Sequence, residues 1–169
     1  MYEIRKASGA DIPMLISLRL EVLRSANKLP PDTPLPEVEK NTAELLRRNF
    51  ENQTTLLAYD GGVLIGCGSV CYYAILPTCG CPSGLRAYVM NMYTRQAHRR
   101  RGAASAILAE LVRDAHGRGC FAIALEATDM GCSVYEKFGF TAAENEMVLR
   151  GAFADSGGKA DNSGERASD

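Results

Sequence analysis

Asn91-Met92-Tyr93-Thr94-Arg95-Gln96-Ala97-His98-Arg99-Arg100-Arg101-Gly102-Ala103-Ala104 joins an apolar run to an Ala-rich one through a basic turn. Before it, Arg86 to Thr94 places Tyr88, Met90 and Met92 on one face of a strand. After it, Gly102 to His116 is an Ala- and Leu-rich helix that ends at Gly117 or Gly119. A helix start exposes unpaired backbone N–H groups and the positive end of its dipole. Small residues such as Gly102, Ala103 and Ala104 let a bulky anion approach that backbone. Arg99, Arg100 and Arg101 add fixed positive charge. By itself, the stretch reads as an anion site at a helix start. It is neither G-x-x-x-x-G-K-[ST] nor G-x-G-x-x-G, which argues against a nucleotide-hydrolysing loop and against a nicotinamide or flavin site.

Upstream, Met1 to Lys6 alternates as a first strand, and Ser8 or Asp11 can cap the helix after it. Leu15, Leu18, Val22 and Leu23 share one face of that helix. The prolines between Lys28 and Pro36 impose a loop. A second helix runs from about Glu37 to Phe50, with Val38, Leu45, Leu46 and Phe50 as its stripe. Thr54 to Tyr59 and Val63 to Tyr73 are strands joined at Asp60-Gly61-Gly62, a turn that needs positive φ. Downstream come a strand over Ala122 to Glu126, a helix over Met130 to Phe138, and a last strand over Thr141 to Leu149. The expected order is β-α-α-β-β-β-α-β-α-β. It makes an α/β (α+β) domain over residues 1–150, and residues 151–169 read as a flexible tail.

The 169 residues carry a net charge of -1, which provides no global field for nucleic acid or membrane. No apolar run reaches the length of a membrane span, and Met1 to Lys6 lacks the apolar core of a signal peptide. A cytoplasmic protein is expected. Its six cysteines are then free thiols. Cys79-Gly80-Cys81 has fewer residues between its thiols than zinc pairs keep, so no metal is expected.

Arg99-Arg100-Arg101-Gly102-Ala103-Ala104 resembles the Arg/Gln-x-x-Gly-x-Gly/Ala pattern of the GNAT acetyltransferase superfamily. Asn91-Met92-Tyr93-Thr94 looks like that family's fourth strand, and Val134-Tyr135-Glu136-Lys137-Phe138-Gly139-Phe140 is similar to its "Leu-Tyr-Glu-Lys-x-Gly-Phe" segment. The likeness runs from Met1 to about Leu149. It implies a mixed, mostly antiparallel sheet of six to seven strands flanked by about four helices, with the fourth and fifth strands splayed. It implies acetyl-CoA as acyl donor, with the pyrophosphate on the backbone N–H groups from Arg100 to Ser105. Arg99 belongs to the same turn. Met92, Tyr93 and Thr94 would lie along the pantetheine arm. A backbone N–H near Tyr93 or Thr94 would polarise the thioester carbonyl. Tyr135 would line the same site and protonate the departing thiolate, a task suited to a phenol with a pKa of about 10.

Two positions depart from the family pattern. Thr128 stands where many relatives have a cofactor-contacting Asn. The middle of the fourth strand carries no carboxylate, so a general base must come from elsewhere. Glu126 is the first candidate; Asp129 and His98 follow. Cys132 lies near the expected thiol site, but direct transfer does not need it.

The acceptor is expected to be a primary amine on a small molecule or a peptide. In the family's architecture its side is walled by Arg19, Glu21, Arg24, Lys28, the proline loop and Leu76 to Arg86. These mixed charges show no sign preference, and a homodimer is left open. A non-catalytic acyl-CoA-binding or sensing module is the alternative; it shares the phosphate turn and does not need Tyr135. A nucleic-acid-binding domain is disfavoured by net charge and by the absence of Trp.

Overall fold

Local chemistry sets each boundary in the computed structural model, which describes residues 2–143, 147 and 148. Strand β1 (Glu3–Lys6) leads into a 3-10 turn, Gly9–Asp11. The Asp11 carboxylate accepts the Ser8 N–H at 2.7 Å and pairs with Arg5 at 2.7 Å, which fixes the entry into helix α1 (Ile12–Ala26). Those partners hold the Asp11 carboxyl well below its usual range. Helix α2 (Pro36–Asn49) begins with proline, whose missing N–H costs nothing there. Strands β2 (Gln53–Asp60) and β3 (Val63–Ala74) meet at Gly61 and Gly62, with φ of 56° and 78°. Both central residues of this turn are left-handed, as the sequence requires.

Strand β4 (Leu85–Thr94), helix α3 (Ala103–Gly117), strand β5 (Ala122–Leu125) and helix α4 (Asp129–Phe138) complete the described elements. Gly119, not Gly117, takes the left-handed conformation after α3, with φ of 77°.

The sheet order is β1-β2-β3-β4-β5, with all pairs antiparallel except β4 with β5. The parallel pair follows from the crossover through α3. Five strands, not six to seven, form the sheet among the described residues. The expected last strand falls partly outside them. Thr141 to Ala143, Met147 and Val148 form no ladder, and Met147 and Val148 lie exposed. The expected tail, residues 151–169, lies wholly outside the described residues.

One core lies between the sheet and α3, where Ile65, Ile107, Leu108 and Leu111 are fully buried. A second lies under α1 and α2, around Leu18, Leu46 and Leu57. From α2 only Leu46 is buried; Leu45, expected in its stripe, faces solvent. Gly68 lets α3 approach closely. A Cβ there would stand 2.6 Å from Ile107 Cγ2 and 2.5 Å from Met92 Sδ.

Candidate functional site

Two features open the site. The first is a β-bulge. Cys67 faces Tyr93 and Ser69 faces Met90, so one residue of β3 opposes two of β4. Asn91 sits in the extra position with φ of 57°. The second is an early end to the neighbouring ladder. β4 pairs with β5 only from Arg86 to Val89. Among the described residues Met90 to Thr94 therefore have no partner on that side, and the sheet splays there as expected. Arg95 N–H donates to the Ile65 carbonyl of β3 at 2.8 Å. Strand alternation turns the N–H of Thr94 the other way, to the open edge.

The basic turn closes one end of the gap. Arg100 and Gly102 are left-handed, with φ of 61° and 85°. Gly102 is the N-cap of α3 and, like any glycine, offers no capping side chain. The first turn of α3 holds no acidic residue. The helix's own ladder starts with Ala106 N–H on the Gly102 carbonyl. The N–H groups of Ala103, Ala104 and Ser105 therefore have no partner within the helix. This donor set fits a pyrophosphate.

A cavity of about 800 Å³ connects these features. Its walls are the end of α1, the second half of β4, the basic turn, the start of α3 and the length of α4. Met92, Tyr93, Thr94, Arg99, Arg100, Gly102, Ala103, Ala104, Ser105, Thr128 and Tyr135 all line it. The sequence placed these residues together, and the fold brings them together. Arg101 does not line the cavity; its side chain is exposed and its carbonyl accepts the Tyr2 hydroxyl at 2.7 Å. Glu126 also stands outside the lining, exposed just past β5. Among the described residues no carboxylate lines the cavity, while His98 and Lys137 do.

Several wall groups have hydrogen-bonding capacity left over. Thr94 Oγ1 and His98 Nδ1 are buried without a partner among the described residues. His98 Nδ1 lies 3.9 Å from Asp60 Oδ2, too far for a hydrogen bond. Tyr135 is half-buried in α4, its ring edge-on to Phe140. Burial raises the pKa of its phenol, and Cys132 adds to the shift. Gly131 sits one turn earlier, and a Cβ there would press within 3.0 Å of the Tyr135 ring.

Val22, Ser25 and Ala26 of α1 also line the cavity, a contribution not read from the sequence. Ser25 Oγ accepts from Arg99 Nη2 at 3.3 Å. Their signal was a patch of small residues at the end of an amphipathic helix. The cysteines keep to the background. Cys67 is fully buried and its thiol is pushed up to about 12. Among the described residues all six are free, and no group of three or more His, Cys, Asp or Glu could hold a metal ion. No helix among them is long and apolar enough to cross a membrane. A larger, open groove of about 1130 Å³ runs between β1 and α3; it shares Gly102 with the site but reaches neither the open half of β4 nor Tyr135.

A sheet parted beside an uncapped, cationic helix start defines a protein that takes an extended phosphorylated ligand between its strands. Residues 20–140 match the sequence profile of the Acetyltransferase (GNAT) family, and the chain belongs to that family. It is an acyltransferase with acetyl-CoA as donor. No sequence among curated proteins matches it significantly. Solved structures do. A predicted acetyltransferase with acetyl-CoA from Clostridium acetobutylicum superposes with a TM-score of 0.80 at 26% identity, covering 89% of this chain and 96% of that one. A GCN5-related N-acetyltransferase from Ralstonia eutropha JMP134 gives 0.76 at 20% identity, over 89% and 98%. The aminoglycoside N-acetyltransferase AAC(6')-Iy, in complex with a bisubstrate analogue, gives 0.69 at 19% identity, over 90% and 99%. The last two likenesses speak to the fold alone.

Proposed function

We propose that this protein transfers the acetyl group of acetyl-CoA to a primary amine of a small molecule or peptide by direct attack, with Tyr135 as the proton donor. The observation that carries this reading is the shared cavity. One space joins the uncapped start of α3, the open edge of β4 and Tyr135. Acetyl-CoA supplies an activated acyl group. The chain's own residues do the rest.

Arg99, Arg100 and the N–H groups of Ala103 to Ser105 hold the phosphates at one end. The open edge of β4 aligns the arm, and Met92 and Thr128 wall it. The Thr94 N–H, free of the ladder, polarises the thioester carbonyl. The amine nitrogen forms its bond to the acetyl carbon as the carbon–sulfur bond breaks. Tyr135 gives its phenolic proton to the departing sulfur. The proton lost by the amine leaves through water, Tyr135 regains its own from solvent, and Glu126, exposed just past β5, is our candidate base. The proposed location is the cytosol, where six unpaired thiols stay reduced.

An amine panel with acetyl-CoA, read by release of free thiol, tests this. Turnover with at least one primary amine is expected. Tight binding of acetyl-CoA without turnover of any amine would return the non-catalytic reading.

A further inference from the structure

Helix α1 and strand β4 run past each other along the cavity, and two contacts mark the ends. Near the phosphate turn, Ser25 meets Arg99. At the bulge, Arg19 Nη1 donates to Asn91 Oδ1 at 3.1 Å. Ser25 to Arg19 spans about 9 Å of helix, and Thr94 to Asn91 about 10 Å of strand. Arg19 therefore stands at the end of the cleft away from the phosphates. Arg19 is not itself a lining residue; it stands one turn beyond Val22, on the far side of the Thr94 N–H from the phosphate turn, where the remainder of the acceptor would lie.

Arg19 is a partly buried cation that lacks an anion. No carboxylate among the described residues pairs with it. Glu21, two residues on, is occupied: Arg95 Nε and Nη2 donate to it at 3.1 and 3.2 Å, and the Tyr93 hydroxyl at 3.1 Å. The sheet presents Asn91 and the thiols of Cys67 and Cys71. Burial pushes both thiols up, so they stay neutral. Burial also lowers the pKa of Arg19 itself, though a guanidinium remains charged. Partly buried cations ordinarily have a partner. Asn91 takes only one of its five N–H donors.

We infer that Arg19 binds an oxyanion on the acceptor, so that the amine substrate of this site carries a carboxylate or a phosphate as well as its amino group. The inference rests on the acetyl-transfer reading above. It also sorts the charges where α1 faces β4: Glu21 pairs with Arg95, and Arg19 has no acid among the described residues.

Matched amines test it. The carboxylate arm sets α-amino acids against their amides, and the phosphate arm sets phosphoethanolamine against ethanolamine. Wild-type kcat/KM should favour the anionic member of at least one arm by 10-fold or more. Arg19→Gln should reduce that preference to under 2-fold, mainly through KM, and Arg19→Lys should restore part of it. The acetyl-CoA-induced rise in Tm confirms that each variant is folded and loads its donor. Wild-type indifference to the anion, or an equal loss on both members in Arg19→Gln, overturns the inference and leaves acetyl transfer standing. Calorimetric titration of the CoA-loaded protein with the same amines reads Arg19 without turnover. If no amine is acetylated, tighter binding of the anionic member that Arg19→Gln removes still supports the contact, and equal binding overturns it.

Discussion

Tyr135 and Glu126 were both singled out for chemistry, and the fold treats them differently. Tyr135 faces the cavity, whereas Glu126 stands outside it. The pKa of Tyr135 is raised, and its protonated form is the useful one. The sign follows directly: a higher pKa keeps the proton available to higher pH. Any loss of kcat from its ionisation should begin only above the ordinary phenol value of about 10. Tyr135→Phe should lower kcat by about 100-fold, the low end for general acids, because a thiolate is already a fair leaving group. The KM for acetyl-CoA should barely move. A pH profile of kcat checks both points. An alkaline limb starting below pH 9 that disappears in the Phe variant would contradict the first, and unchanged turnover would remove Tyr135 from the role.

Gly68 shows how an element can depend on one missing side chain. Its Cβ would clash with Met92 of β4 and Ile107 of α3 at once, and would lie 3.1 Å from Leu111 Cδ1. Gly68→Ala must therefore displace these side chains and press on α3, the helix whose start we propose holds the phosphates. Overpacking of this kind costs about 1–3 kcal/mol. For a chain of this size that lowers Tm by roughly 2–12 °C. A weaker affinity for acetyl-CoA should accompany it, because α3 and Met92 both border the cavity. Thermal melts with and without donor check this. A variant with wild-type Tm would show that the sheet and α3 have slack here. The bulge at Asn91 belongs to the same scale. It shifts the register between Cys67 and Ser69 and precedes the unpaired half of β4.

For the molecule as a whole, the cavity proposed to take the donor is assembled from α1, β4, α3 and α4 together. Acetyl-CoA should therefore bind the folded chain and not the unfolded one. At a hundredfold excess over Kd, linkage adds about 2.7 kcal/mol. The expected rise in Tm is roughly 5–10 °C. A melt in millimolar acetyl-CoA measures it, and an unshifted Tm would sink the donor assignment.

How much of this was legible depended on range. Local features were plain: the Gly61-Gly62 turn, the prolines that separate the first two helices and the basic turn each act within a few residues. Their positions followed from φ preferences and hydrophobic period alone. The exposure of Leu45 and the exclusion of Arg101 from the cavity did not, because packing against distant elements decides them. The same holds for Arg19. In sequence it is one charge among several on an amphipathic helix. Only when β4 brings Arg95 to Glu21, across more than seventy residues, is Arg19 left without an acid. The sequence alone determined most of the elements and the anion-binding turn, because these depend on short-range stereochemistry, and the donor followed from the likeness of two motifs to one family. The tertiary structure decided which charges cancel and which face the acceptor, because charge balance is a property of neighbours in space.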